Sequence, residues 1–107
     1  MEVKATMPII RGTTPVIKYA FKALDTADIA AAYMVLVQDN KAIIVKDLAA
    51  ATVEDGALYW KLQQADTLAL HNGAVRIMLD WRLNDGTRGV GKTVEATVIS
   101  GAVNGVI

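Results

Sequence analysis

The sequence predicts an all-β fold in which two antiparallel sheets face each other across one core. Three observations lead there. Apolar and polar residues alternate with period two through much of the chain, and the alternating stretches are short. Each ends in turn chemistry such as Asp39-Asn40, Asp55-Gly56 or Asp85-Gly86. No stretch has helical periodicity long enough to build a parallel α/β sheet. The 107 residues suit a single domain.

The elements follow in order. In PVIKYAFKAL, Ile17, Tyr19 and Phe21 alternate with Lys18, Ala20 and Lys22, as in a strand with one buried face. AAAYMVLVQ and AIIVKDL flank the turn Asp39-Asn40-Lys41, so a hairpin is expected with strands near residues 32–38 and 42–47. The alanines of residues 27–33 also permit a helical turn, which leaves the start of that strand open. After Glu54-Asp55-Gly56, ALYWKL places Leu58, Trp60 and Leu62 on one face and Tyr59 and Lys61 on the other. QQADTLALHNG breaks the alternation and predicts a short helical turn closed by Asn72-Gly73.

Residues 75–83 carry the clearest pattern. Val75, Ile77, Leu79, Trp81 and Leu83 face one way, and Arg76, Met78, Asp80 and Arg82 the other. Residues 90–99 are expected to return as one strand, with Val90, Val94, Ala96 and Val98 on one face. About seven strands and one short helical turn describe an immunoglobulin-like antiparallel β-sandwich. Tyr19, Phe21, Trp60 and Trp81 are its large core fillers.

Composition narrows the function. Apolar residues make up 53% of the chain and charged residues 21%, with a mean hydropathy of +0.33. On a small body this implies apolar surface facing a partner, most simply another copy; alanine runs such as residues 49–51 raise the same percentage without a patch. Eleven basic and eleven acidic residues cancel, so no footprint for nucleic acid or an anionic membrane is expected. Cysteine is absent and His71 is the only histidine, which argues against metal sites and thiol chemistry; no cofactor is expected. The opening MEVKATMPIIRG does not read as a signal sequence, and no apolar run approaches the ~18 residues of a membrane span. The expectation is a cytosolic product, a description that fits a virion protein made in a host.

Residues 86–93, GTRGVGKT, match the phosphate-loop pattern through Gly86, Gly91, Lys92 and Thr93. A phosphate loop needs a helix starting at its lysine and threonine. KTVEATVIS instead has β-branched residues at Thr93, Val94, Thr97, Val98 and Ile99, which favour a strand. A glycine-rich hairpin without nucleotide is therefore expected: Gly86 serves the Asn84-Asp85-Gly86 turn, and Gly89 and Gly91 mark a bulge or the close approach of another backbone.

Other catalytic candidates are thin. His71 reads as a surface-turn histidine, Ser100 is the only serine, and no acidic residue is placed by sequence to orient His71. Asp25, Asp28, Glu54, Asp55 and Asp85 fall in turns, where acids cap and solvate. Asp80, between Arg76 and Arg82, suits a cross-strand or interface ion pair. No catalytic residue is assigned.

The segments MPIIRGTTPVIKYAFK, LQQADTLAL, GAVRIMLDWRLNDGTRGVGK and NGVI, in this order, resemble a group of small phage and prophage proteins. Those proteins share an R-G-T-T-P start, a Q-x-x-T-L turn and a V-x-I-x-L strand leading to a D-G turn. They are similar to the N-terminal domain of baseplate upper proteins in phages of Gram-positive bacteria. The resemblance implies a virion β-sandwich acting in a tail, baseplate, neck or head-fibre attachment, with no catalytic residues.

The expected contacts are Tyr33, Tyr59, Met78 and Arg82, residue types enriched at interfaces. To these are added Val103, Val106 and Ile107 in the tail of residues 100–107. That tail and residues 1–7 flank the single domain, and either add strands to neighbouring subunits or complete the domain's own edges. The rival readings are a carbohydrate- or receptor-binding module, which exposed loop aromatics would favour, and a small inhibitor of a host protein.

Overall fold

Strands form where the alternation runs. The computed structural model describes residues 8–22 and 24–101. Within them lie β1 (Ile9–Ile10), β2 (Val16–Ala20), β3 (Ile29–Gln38), β4 (Lys41–Asp47), β5 (Thr52–Glu54), β6 (Ala57–Lys61), β7 (Gly73–Leu83), β8 (Arg88–Val90) and β9 (Val94–Ile99). One α-helical turn, α1 (Gln64–Leu68), follows β6, and short 3₁₀ turns precede β3 and follow β4. The expectations placed on residues 1–7 and on Val103, Val106 and Ile107 lie outside the described residues.

The larger sheet runs β1-β9-β7-β3-β4, with β8 also paired to β7, and the smaller runs β2-β6-β5. This is the two-sheet immunoglobulin-like order. One pairing departs from the antiparallel expectation: β1 lies parallel to β9, with Ile9 opposite Val98.

The core fills the space between the sheets. Met34 and Leu36 from β3 and Val75, Ile77 and Leu79 from β7 meet Leu58, Trp60 and Leu62 from the smaller sheet and its exit. Tyr19 and Trp60 are buried, whereas Phe21 and Trp81 pack against the core only partly covered, edge to face at 5.5 Å. The β3–β4 hairpin turns at Asp39 and Asn40, both left-handed with φ of 52° and 61°, which matches the twist of the strands they join.

The expected strand over residues 90–99 is two strands. Val90 pairs with Asp80 and Val94 with Ile77, so four steps on one side oppose three on the other. One extra residue reverses the facing of everything beyond it. Val90 is therefore 69% exposed instead of sharing the core face of Val94, Ala96 and Val98. The interruption is held from both sides. Gly91 N donates to Leu79 O at 2.7 Å, and the Tyr19 hydroxyl donates to Lys92 O. A Cβ on Gly91 would lie 2.7 Å from the Tyr19 ring, and one on Gly89 would lie 2.5 Å from that of Trp81. Both glycines answer to the close approach of an aromatic ring, not of another backbone.

Two distant segments of the chain meet in space. Thr67 of α1 is fully buried; its Oγ1 accepts from Gly12 N at 2.9 Å and donates to Thr13 O at 2.8 Å. Arg11 Nη2 donates to Leu68 O at 3.0 Å, and Leu62 N to Pro15 O at 2.9 Å. The R-G-T-T-P segment and the Q-x-x-T-L turn thus form one polar clip that closes this end of the sandwich.

Candidate interaction face

Alternation along β3 and β7 sends every second side chain away from the core. On the outer face of the larger sheet, three rows follow from the strand registers. The middle row is Val45, Val35 and Met78. The row on one side holds Asp47, Tyr33, Asp80 and Val90. The row on the other holds Ala42, Val37, Arg76 and Glu95. Tyr33, Val45, Met78 and Val90 are exposed, and Val35 and Val37 are half-buried between them.

The polar groups of this face are distinctive. Arg76, Arg82 and Arg88 stand on β7 and β8, and neither these strands nor β3 contain a lysine. Asp80 pairs with Arg88, Nη2 to Oδ2 at 3.4 Å, so it makes the expected cross-strand ion pair with a neighbour on β8. Arg76 Nη2 donates to Asn40 Oδ1 at 3.3 Å. Both links are solvent-facing and hold the side chains loosely. A depression of about 310 Å³ is lined by Ala31, Tyr33, Asp80, Trp81, Arg82 and Arg88.

Of the residues the sequence singled out for contact, Tyr33, Met78 and Arg82 come together here. Tyr59 does not. It lies on β6 in the other sheet, half-buried, with Lys18 Nζ 5.6 Å above its ring. Val45 and Val90 were missed. Val45 could have been found from the inward parity of Ile44, its neighbour on β4; Val90 could not, because the bulge that turns it outward leaves no mark in the alternation.

Two other places bear on chemistry. His71 Nε2 lies 2.7 Å from Asp39 Oδ2, which corrects the expectation that no acid orients this ring. The β3–β4 turn brings in a residue 32 positions away. Nδ1 lies 2.9 Å from Asn72 O. Both nitrogens face acceptors, so the doubly protonated ring is favoured, and the Asn72 carbonyl and then the Asp39 carboxylate raise its pKa above 6.5. Ser100 Oγ bonds the Asn72 side chain at 2.9 and 3.1 Å, not the imidazole, so no serine–histidine relay is assembled. Among the described residues no group of three or more potential metal ligands occurs.

The second place is a groove of about 520 Å³ where the two sheets part, lined by Tyr19, Phe21, Leu24, Trp81 and Leu83 with Lys22 and Lys92 beside them. Residues 86–93 border it as a turn, β8 and the interruption before β9. No helix begins at Lys92 and Thr93; they lead into β9. The turn itself is closed by Thr87 N donating to Asp85 Oδ1 at 2.8 Å and by Gly86 with φ of 90°.

No family model matches this chain, and no curated protein does.

Proposed function

We propose that this protein is a non-catalytic structural component of a bacteriophage particle, in the tail, baseplate, neck or head-fibre attachment, working through protein–protein contacts made by the outer face of its larger sheet. The observation that carries this reading is the apolar stripe of Tyr33, Val45, Met78 and Val90, set among the arginines of β7 and β8. Tyrosine, methionine and arginine are enriched at interfaces and lysine is depleted. The smaller sheet exposes Lys18 and Lys61 beside Val16. The resemblance of the R-G-T-T-P and Q-x-x-T-L segments to phage proteins supplies the particle. Val45→Asp places a charge in the stripe at an exposed position, so the chain stays folded. In purified particles the wild-type chain is detected by mass spectrometry and the variant is lost; a variant retained at wild-type copy number overturns the assignment of this face.

One observation favours a second reading, a carbohydrate-binding module. Trp81 is only partly covered and lines the groove with Tyr19 and Phe21. Aromatic rings at a groove wall suit the apolar faces of sugars, and quenching or enhancement of tryptophan fluorescence by an oligosaccharide would favour this reading over the first.

A further inference from the structure

The rows on the outer face have a symmetry that bears on what covers it. Met78 lies at the middle of the outward series of β7, with Arg76 one step to one side and Asp80 one step to the other. Outward neighbours on a strand are about 6.6 Å apart, so opposite charges stand equidistant from Met78.

We propose that the occupant of this face is a second copy of the same chain, related by a two-fold axis lying across the strands through the row Val45, Val35 and Met78. The proposal rests on the reading of this face as a contact surface. About that axis each row meets its counterpart: Met78 and Val35 meet themselves, and Tyr33 meets Val37 of the second copy. Asp80 meets Arg76 of the second copy, and the symmetry makes this ion pair twice. Arg82 and Arg88, one row further out, meet Ala74 and Thr97, so no like charges are opposed.

Two other two-fold placements are less favourable on charge. An axis along the strands between β3 and β7 sets Val37 against Arg76 and Tyr33 against Asp80, and so adds no ion pair between the copies. An axis moved by half a row toward Asp80 sets Arg82 against Arg76, a like-charge contact that disfavours the arrangement. The axis through the Met78 row joins Asp80 to Arg76 twice around an apolar centre, and leaves Glu95 against Val90 and Asp47 against Ala42 at its rim. The chain's formal net charge of zero adds no long-range repulsion between copies.

Four strands at about 4.8 Å spacing and eight residues along β7 give a footprint of about 500 Å² per copy once side-chain margins are counted. This falls below the ~800 Å² per partner of a standard interface. The expected association is accordingly weak and reversible.

Sedimentation velocity over a concentration series tests this on the full chain. Asp80→Arg and Arg76→Asp each place like charges across the axis and weaken association by ten-fold or more; the double exchange, Asp80→Arg with Arg76→Asp, recovers it to within a few-fold of wild type. Circular dichroism checks that each variant is folded. A wild-type chain that stays monomeric at millimolar concentration overturns the proposal. Association indifferent to the single reversals, or not recovered by the double, overturns it as well. If the wild type is monomeric while Val45→Asp is still lost from particles, the face is a contact surface for a different protein: the self-pairing fails and the reading beneath it survives.

Discussion

Replacing Thr67 by valine tests whether the polar clip holds the sandwich closed. Valine nearly matches threonine in shape, so packing is retained while the hydroxyl is lost. Gly12 N–H, 2.9 Å from that hydroxyl, loses its acceptor, and Thr13 O, 2.8 Å away, loses its donor. The site is fully buried at Thr67, so water does not readily replace the missing partner. Each stranded group costs about 1–3 kcal/mol, and the partial exposure of the loop lowers the sum to about 2–4 kcal/mol. For a chain of this length each 1 kcal/mol moves the melting temperature by at least about 4 °C, so a drop of about 10 °C or more is expected. Urea unfolding followed by tryptophan fluorescence reads the free energy directly, with an unchanged m-value. Thr67→Ser keeps both hydrogen bonds and loses one methyl, which costs about 1 kcal/mol. The order of stability is therefore wild type, then serine, then valine. Valine within about 0.5 kcal/mol of wild type, or above serine, refutes the argument.

Two further perturbations probe other parts of the fold. Gly91→Ala forces a methyl into the Tyr19 ring, at 2.7 Å, and is expected to destabilise by about 1–3 kcal/mol. In a Tyr19→Leu background the same substitution costs less, because the atoms it meets are gone; an equal cost in both backgrounds removes the ring as the cause. The His71–Asp39 pair sets a pH dependence. The folded-state pKa of His71 lies above 6.5, so the pair's contribution is fully present below that pH and fades as the pH rises through the raised value. The urea midpoint of wild type should therefore fall relative to that of His71→Gln between about pH 6 and 8; parallel profiles contradict the assigned proton.

Much of the architecture was legible because the side-chain period of a strand is two. Ile17, Tyr19, Leu58, Trp60, Val75, Ile77 and Leu79 all point where alternation puts them. Parity, however, separates inward from outward and does not say which sheet a strand joins. Met78 and Tyr59 were equally outward by that rule, yet Tyr59 sits on the other side of the sandwich. A single inserted residue defeats parity altogether, which is how Val90 moved from the expected core to the exposed face. Contacts between distant turns leave no local trace: Asp39 meeting His71, and Thr67 bonding Gly12 and Thr13, appear only when the chain is folded. The burial of Gln38 is of the same kind. Its side chain bonds the backbone of His71 at 2.8 and 3.0 Å and thereby ties β3 to the turn before β7.

In the assembled state the β3–β7 outer face should be covered, and the outer face of the smaller sheet should not. The absence of native cysteine makes a direct measurement clean. Val45→Cys and Lys61→Cys, each exposed on opposite sheets, are reacted with a water-soluble maleimide in the free chain and again within particles. Labelling at position 45 is expected to be lost on assembly while labelling at position 61 persists. The reverse pattern, or equal labelling of position 45 in both states, contradicts it.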